Sequence, residues 1–290
     1  MSWLVYVSVP LFIGLLGFEV WFTARRPGRV AGYEWRDTLA SLSMGVGNMV
    51  IAVFTKGATL AVYTWLHSFA VFDLGWAWWA WPIALLGDDF CYYWFHRMHH
   101  EVRFLWAAHE NHHSSQRYNF ATALRQSWTT PFTGPLFWAP LALLGVEPLM
   151  IVASQGVSLI YQFWIHTEWI DRLGPLEWVF NTPSHHRVHH GRNLEYLDRN
   201  HGGILIVWDR LFGSFEPERA SVDYGLTKNL ESFSPLRIAF HEWVAMFGDA
   251  ATAPGWREAF GYLLRPPGWS PDGRTLTARQ LRAIPTPIRP

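Results

Sequence analysis

Residues 75–101 read GWAWWAWPIALLGDDFCYYWFHRMHHE, and this stretch decides which kind of fold the chain can adopt. Its first part, 75–95, is apolar and rich in tryptophan, and it is long enough to cross the ~30 Å hydrocarbon core of a bilayer as a helix. Clustered tryptophans at one end are typical of a membrane interface. The other end carries His96, His99 and His100. The stretch therefore predicts a membrane helix that brings histidines to one membrane face.

Three further apolar blocks extend this interpretation. Residues 3–23 and 38–67 each contain a single charged side chain, Glu19 and Lys56 respectively. Residues 131–165 are long enough for two helices that turn near 145–148. The sequence therefore predicts an all-α integral membrane protein with 4–5 transmembrane helices and a cytoplasmic, helical, histidine-rich dimetal cap.

The distribution of arginine predicts the orientation. The loop 25–37 carries four arginines, whereas the links 68–74 and 145–148 carry neither lysine nor arginine. Positively charged loops remain in the cytoplasm. Counting crossings from that loop brings residues 96 and 166 out on the cytoplasmic side, where the clustered histidines follow.

Composition excludes several classes of protein. Lys+Arg and Asp+Glu are both 23, and a balanced charge argues against a nucleic-acid-binding protein. Half of the residues are hydrophobic, which excludes a disordered chain. Cys91 is the single cysteine, so no intramolecular disulfide framework can form.

The pattern HxxHH occurs three times, beginning at His96, His109 and His186. From the histidine content, chance predicts about 0.03 such motifs in a chain of this length. Positions i, i+3 and i+4 share one face of a helix, so the imidazoles of one motif can converge on a metal. Two or three such faces would hold two metals, and His166, at the end of the block 131–165, is expected to add a ligand from another helix.

The remaining histidines and the nearby carboxylates are less decisive. His67 and His241 lie outside the clusters and are interpreted as ordinary residues, whereas His99, His185 and His201 are open between metal ligand, supporting residue and neither. Asp89 lies seven residues before His96, on the same helix face, and could accept the second ring N–H of a ligand histidine. The alternative is that Asp89 pairs with Arg97 or a tyrosine.

The residue types leave the metal open. Imidazole binds iron, zinc, copper and nickel, and thiolate ligands are lacking because Cys91 stands alone. Redox-active iron would permit oxygen-dependent attack on a C–H bond, whereas zinc would favour hydrolysis. A non-enzymatic haem carrier or metal transporter is a further alternative.

The segments around the histidines resemble one known family. HRMHHE (96–101), WAAHENHHSSQRYNFATALRQS (106–127), YQFWIHTE (161–168) and LGPLEWVFNTPSHHRVHHGRN (173–193) are similar to the fatty acid hydroxylase/sterol desaturase superfamily, and most of all to its alkylglycerol monooxygenases. The resemblance covers about residues 88 to 270.

The resemblance implies a non-haem di-iron oxygenase that uses O2, possesses two Fe ions and takes electrons from tetrahydrobiopterin or a redox protein outside this chain. Its substrate would be a membrane lipid, the ether-linked carbon of an alkylglycerol being hydroxylated. The family pattern supports functional roles for Glu101 and His185, and His166 stands where related hydroxylases supply a ligand. His99 and His201 depart from the pattern. The implied metal ligands are His96, His100, His109, His112, His113, His166, His186, His189 and His190.

These observations give a single membrane-embedded oxygenase domain over 1–290. Its expected parts are membrane helices (1–95), the first histidine clusters (96–130), a membrane hairpin (131–165), the third cluster (166–215) and an amphipathic or poorly ordered C-terminal region (216–290). Asp89 and Glu101 are expected to tune the metals or relay protons. The alternative substrate is a fatty acyl chain or a sterol, for hydroxylation or desaturation. Arginine far outnumbers lysine, which favours a bacterial inner membrane; otherwise the endoplasmic reticulum is expected.

Overall fold

The computed structural model describes residues 3–284, which form helices joined by loops. Within this range no β-strand forms, and two isolated bridges pair Phe180 with Leu205 and Gly191 with Tyr224. The expected all-α class is therefore confirmed. The α-helices are α1 Trp3–Ala24, α2 Trp35–His67, α3 Ala80–Glu101, α4 Arg103–Trp106, α5 Glu110–His113, α6 Phe120–Ala123, α7 Thr130–Thr133, α8 Ala139–Leu143, α9 Pro148–Trp164, α10 Pro183–His189, α11 Val207–Phe212, α12 Pro235–Ala251, α13 Trp256–Leu264 and α14 Ala278–Arg282. Short 3₁₀ turns occupy Pro135–Trp138, Gly174–Trp178 and Leu194–Tyr196.

Two helices are long and apolar enough to cross a membrane. They are α1, through its segment Val7–Ala24, and α2 over Trp35–His67. Both expose large apolar side chains along their length, including Phe18 and Phe54. An exposed apolar surface of this extent is typical of a lipid-facing helix rather than of a helix in a soluble core. The sequence predicted four or five transmembrane helices. By length and hydropathy, two of the described helices qualify.

The expected membrane hairpin at 131–165 forms only on its second arm. Residues 148–164 are the 17-residue helix α9, but the first arm is divided between α7, the turn Pro135–Trp138 and α8. Pro131, Pro135 and Pro140 stand at the beginnings of those three pieces. Proline lacks an N–H and its ring clashes with the preceding turn, and three prolines within ten residues interrupt the helix here. The expectation of two long helices here was therefore wrong.

Helix α3 forms the centre of the packed apolar core. Its residues Ala84, Cys91 and Phe95 lie in one buried cluster with Trp138 from the broken arm and Ile151 from α9. This packing fixes the direction of α3. Since His96 and His100 occupy the last turns of α3, the core also fixes where these two histidines emerge.

Buried polar contacts tie α1 and α2 to the histidine-bearing loops. Glu19, the single charge in the first apolar block, accepts hydrogen bonds from Tyr33 Oη, from Thr167 Oγ1 and, at 2.9 Å, from the Phe120 amide. At the start of α2, Asp37 forms an ion pair of 2.5 Å with Arg125, whose side chain is 1% exposed. The two N-terminal helices are thus fastened to the segments that follow His113 and His166.

The C-terminal region, expected to be amphipathic or poorly ordered, contains the helices α12, α13 and α14. Helix α12 is amphipathic: it buries Ile238 against Met44 of α2 and exposes Leu236 and Val244. Beyond residue 266, Trp269 packs on Tyr262 and a capping box begins α14. The expected poorly ordered tail is therefore ordered as far as residue 284, and residues 285–290 lie outside the described range.

Breaking the Asp37–Arg125 pair should destabilise the fold strongly. Asp37→Ala leaves the Arg125 guanidinium buried without its counter-charge, which costs about 3–5 kcal/mol. The matched control is Asp223→Ala, which breaks an exposed pair with Arg192 and should cost about 0–1 kcal/mol. Thermal unfolding of the detergent-solubilised protein measures both. Equal losses of stability in the two variants would contradict the structural role of the buried pair.

Candidate metal centre

Five buried histidines from three segments form the first cluster. His96 and His100 come from α3, His109 precedes α5, His113 ends α5, and His189 ends α10. One ring nitrogen of each lies within 4.8 Å of the corresponding nitrogens of the others. The i, i+4 spacing of His96 and His100 places both rings on one side of α3, as the sequence predicts.

Four buried histidines form the second cluster under the same distance limit. His112 belongs to α5, His186 to α10 and His190 follows α10, while His166 comes just after α9. The expectation that another helix brings His166 to this group thus agrees with its position. Together the two clusters contain the nine histidines that the sequence selected as ligands.

The clusters divide two of the HxxHH motifs between them. His112 and His113 are neighbours in sequence but lie in different clusters. The same is true of His189 and His190. Successive side chains on a helix are about 100° apart, so adjacent histidines point to different sides. The rings of His113 and His190 stack with centroids 4.4 Å apart, so the clusters adjoin. A single motif therefore does not build a single cluster, which the spacing alone left open.

Backbone carbonyls fix the orientation of several rings through Nδ1. His96 Nδ1 lies 2.9 Å from the His201 carbonyl oxygen, and His189 Nδ1 lies 2.9 Å from that of Arg199. In the second cluster, His112 Nδ1 is 3.2 Å from the Arg125 carbonyl and His166 Nδ1 is 2.7 Å from that of Gln162. A carbonyl can only accept, so each Nδ1 carries the proton, and Nε2 presents a lone pair.

The resulting lone pairs face one another. His112 Nε2 and His166 Nε2 are 3.2 Å apart, although neither neutral ring has a proton at that atom. In the first cluster His100 Nε2 and His189 Nε2 are buried with no hydrogen-bond partner among the described residues. Two nitrogens at right angles around one ion, each ~2.1 Å from it, would lie ~3.0 Å apart. These donors therefore fit a metal ion in each cluster.

Burial keeps the imidazoles neutral. It lowers the pKa of His109, His113 and His189 well below the ordinary histidine value, and the neighbouring imidazoles lower it further. Burial also lowers the pKa of His112 to about 4, against the opposing effect of its hydrogen bond to the Arg125 carbonyl. Neutral imidazole is the form that binds metals.

Three histidines that the sequence left open lie outside both clusters. His99 uses both ring nitrogens elsewhere, with Nδ1 2.7 Å from the Phe95 carbonyl and Nε2 3.0 Å from Thr133 Oγ1. His201 contributes its carbonyl to His96, and its ring centroid is 5.1 Å from that of His100. His185 packs against Phe215.

The expected role of Asp89 is not what the structure shows. Its carboxylate accepts hydrogen bonds from the Ile204 amide at 2.7 Å, the Leu205 amide at 3.1 Å and Trp208 Nε1 at 2.9 Å, and it contacts no ligand histidine. Asp89 therefore holds the loop after His201, because unpaired amides in that loop would otherwise be buried. The Nδ1 partners of His96, His112, His166 and His189 are carbonyls instead, which no side-chain pattern in the sequence could reveal.

Glu101 also lies apart from the clusters. It forms an ion pair of 2.8 Å with Arg97, one helical turn earlier, and its side chain is partly exposed. Glu110 is buried and pairs with His241 Nε2 at 3.0 Å, so His241 is not isolated as its sequence context suggested.

Two carboxylates near the clusters were not predicted from the sequence. The Asp198 carboxylate lies 3.4 Å from His100 Nδ1, and Asp209 accepts hydrogen bonds from the His201 and Gly202 amides at 2.7 Å each.

Residues 81–214 match the profile of the family described as fatty acid hydroxylase. The chain contains a fatty acid hydroxylase domain. All nine clustered histidines, 96 to 190, fall inside this domain, and the family resemblance seen in the sequence is confirmed.

Relatives with the same name as the expected subfamily cover most of the chain. Alkylglycerol monooxygenase from Homo sapiens is 43% identical over 270 residues, 91% of this chain and 59% of the relative. The Xenopus tropicalis protein of that name is 44% identical over 237 residues, 81% of this chain and 53% of the relative. The chain thus spans somewhat more than half the length of these relatives.

A third relative carries a different name. Ornithine lipid hydroxylase OlsE from Rhizobium tropici is 34% identical over 156 residues, 51% of this chain and 47% of the relative. No solved structure matches the chain. The names of the relatives support a lipid hydroxylase, an oxidoreductase, in the broad sense.

Two adjacent histidines of α3 provide a test of the first cluster. His100→Gln should lower the bound metal per chain because it removes a donor from the cluster, whereas His99→Gln should leave the metal content unchanged because both nitrogens of His99 are engaged elsewhere. Elemental analysis of the purified variants measures the difference. Loss of metal in His99→Gln alone would reverse the assignment.

Removing the metal should make stability depend on pH in a defined direction. The unfolded chain protonates histidine below about 6.5, whereas folded His112 stays neutral to about 4. Below 6.5 the unfolded state therefore binds more protons, and the free energy of unfolding falls as the pH falls. The thermal midpoint of chelator-treated protein should drop across this window, and less steeply in His112→Gln. A midpoint independent of pH over the window would contradict the neutral, buried state.

Proposed function

We propose that the protein is an integral-membrane, non-haem di-iron monooxygenase that hydroxylates a C–H bond of a lipid, namely the ether-linked carbon of an alkylglycerol. The observation that carries the proposal is the pair of adjoining histidine clusters with opposed Nε2 lone pairs. The names of the relatives support the reaction, and the two long apolar helices support a membrane location.

The ligands proposed for two iron ions are the nine clustered histidines. One ion would be held by His96, His100, His109, His113 and His189, and the other by His112, His166, His186 and His190. Iron at such a site supplies the redox chemistry that activates O2, which zinc lacks. Iron is favoured here because the relatives are named monooxygenases and hydroxylases.

The chain's own residues prepare the site. Backbone carbonyls of His201, Arg125, Gln162 and Arg199 keep a proton on Nδ1 of four ligands, so that Nε2 is preorganised as a donor. Tyr118 donates to the Ile165 carbonyl at 2.8 Å, and its ring lies beside His190 with centroids 5.2 Å apart. This fully buried ring shields one side of the second cluster from water.

The reaction requires reducing equivalents as well as oxygen. Conversion of C–H to C–OH takes one oxygen atom from O2, and the other atom becomes water with two electrons and two protons. We propose that the electrons come from outside the described chain, from tetrahydrobiopterin or a redox protein. The hydroxylated ether carbon is a hemiacetal, which releases a fatty aldehyde and glycerol.

A second candidate keeps the chemistry and changes the lipid. The ornithine lipid hydroxylase and a cholesterol 25-hydroxylase-like protein from Danio rerio, 26% identical over 205 residues, favour a different lipid substrate. The alternative we propose is hydroxylation or desaturation of a fatty acyl chain or a sterol. A non-enzymatic haem carrier fits less well, because haem takes axial histidines on opposite faces, whereas here nine imidazoles crowd together.

The proposed location places the clusters on the cytoplasmic side of the membrane. Four arginines lie between α1 and α2, and α2 begins beside the histidine-bearing loops through the Asp37–Arg125 pair. Positive loops are retained on the cytoplasmic side. We propose the bacterial inner membrane if the gene is bacterial, and otherwise the endoplasmic reticulum.

Ether cleavage by the purified protein tests the proposed function. Iron-loaded protein given O2, tetrahydrobiopterin and 1-O-hexadecylglycerol should release hexadecanal. His109→Ala and His189→Ala should reduce release to background because each removes a proposed ligand, while the control His67→Ala, outside both clusters, should retain activity. Iron binding without aldehyde release, together with oxygen insertion into an ornithine lipid or sterol, would favour the second candidate. A folded protein that binds no iron would contradict both.

A further inference from the structure

A cavity of about 220 Å³ lies outside the two histidine clusters, behind α10. Its wall includes Arg172, Trp178, His185, Arg210, Phe215 and Glu218. His185 directly precedes the cluster residue His186, but its ring turns away to contact Phe215. The cavity is therefore separate from the metal centre and is not used by the proposed reaction.

The cavity wall carries two arginines and two glutamates, and the arginines are not paired with those carboxylates. Arg172 donates to the backbone carbonyl of Glu218, and Arg210 donates to that of Glu177 at 3.0 Å. Neither guanidinium forms an ion pair with a carboxylate in the part of the chain that is described. Arg210 instead stacks on the rings of Phe215, at 3.8 Å, and Trp178, at 5.2 Å.

The carboxylates in the wall already have partners. Glu218 receives Nε and Nη2 of Arg187 at 2.9 and 2.7 Å. Glu177 Oε1 accepts from the Leu173 amide and from Thr182 Oγ1, each at 3.0 Å. Because both carboxylates already accept hydrogen bonds from other groups, the guanidinium groups of Arg172 and Arg210 remain available to a ligand.

A third polar group in the wall also lacks a partner. His185 is 2% exposed, and its Nδ1 is buried without a hydrogen-bond partner among residues 3–284. A buried ring nitrogen left unpaired costs free energy unless a ligand or water satisfies it. Two guanidinium groups and an unpaired imidazole nitrogen are a donor set suited to an oxyanion.

The rim of the cavity is apolar and exposed. Trp178, which lines the cavity, is 69% exposed, and Leu211, the residue after the lining residue Arg210, is 70% exposed. Helix α11, which carries Leu211, packs on α3 through ring contacts of Trp208 with Phe90 and of Phe212 with Trp94, each with centroids 5.1 Å apart. Leu211 thus lies on a helix that packs against α3, and an exposed tryptophan such as Trp178 is typical of the membrane interface.

We propose that this cavity binds the phosphate group of an anionic membrane phospholipid. Arg172 and Arg210 receive the phosphate oxygens, and Trp178 and Leu211 contact the glycerol and the first acyl carbons. A lipid is favoured over free phosphate because Arg210 stacks on the exposed Trp178 and directly precedes the exposed Leu211, so that a guanidinium group adjoins apolar side chains, and only a lipid satisfies both. The site would hold the cytoplasmic cap against the bilayer.

Native mass spectrometry of the full-length, detergent-solubilised protein tests this site. The probes are dioctanoyl phosphatidylglycerol, uncharged dioctanoylglycerol and inorganic phosphate. The wild type should retain one phosphatidylglycerol. The double variant Arg172→Gln/Arg210→Gln should bind it at least about tenfold more weakly, equivalent to about 1.4 kcal/mol. The matched control Arg279→Gln, an exposed arginine on α14, should bind it like the wild type.

A second variant separates the lipid from its phosphate. Leu211→Ser changes an exposed side chain, so it should fold, and it should weaken phosphatidylglycerol binding while leaving binding of inorganic phosphate unchanged. Unchanged metal content shows that each variant is folded. Equal lipid binding by the double variant and the control would overturn the site. Equal binding of dioctanoylglycerol, or of inorganic phosphate, would overturn the assignment to an anionic lipid.

Discussion

The opposed Nε2 atoms of the clustered histidines are the constraint on which the remaining structure depends. Backbone carbonyls hold the Nδ1 protons of His112 and His166, so their Nε2 lone pairs face each other across 3.2 Å. This arrangement is unfavourable without a cation between them. The surrounding fold therefore has to be rigid enough to keep the rings in place, and the buried Arg125–Asp37 and Asp89 contacts supply that rigidity.

Much of the site was predictable because helical spacing is a local property. The HxxHH motifs, apart from His99, which was left open, and the end of an apolar block at His166 selected the nine histidines that the structure brings together. The apolar blocks 3–23 and 38–67 predicted α1 and α2 because long runs of apolar residues have few alternatives to a membrane helix. The family resemblance, carried by the same motifs, pointed to the hydroxylase domain.

The features of the fold and site that were not predicted depend on contacts between residues far apart in the chain. Local sequence patterns do not reveal such contacts. The division of neighbours such as His112 and His113 between clusters depends on how α5 is placed against α3 and α10. Asp89 was expected beside a histidine because it lies seven residues before His96. Its carboxylate instead accepts hydrogen bonds from the amides of residues 204 and 205, more than 100 residues away in sequence. Prolines broke the first arm of the 131–165 hairpin despite its apolar character.

The most direct measurement is anomalous X-ray diffraction from crystals of the metal-loaded protein, recorded on both sides of the iron absorption edge. The account predicts two iron peaks per chain, one among the five nitrogens of the first cluster and one among the four of the second. A single peak, a peak outside the nine histidines, or an edge belonging to another metal at both positions would contradict it.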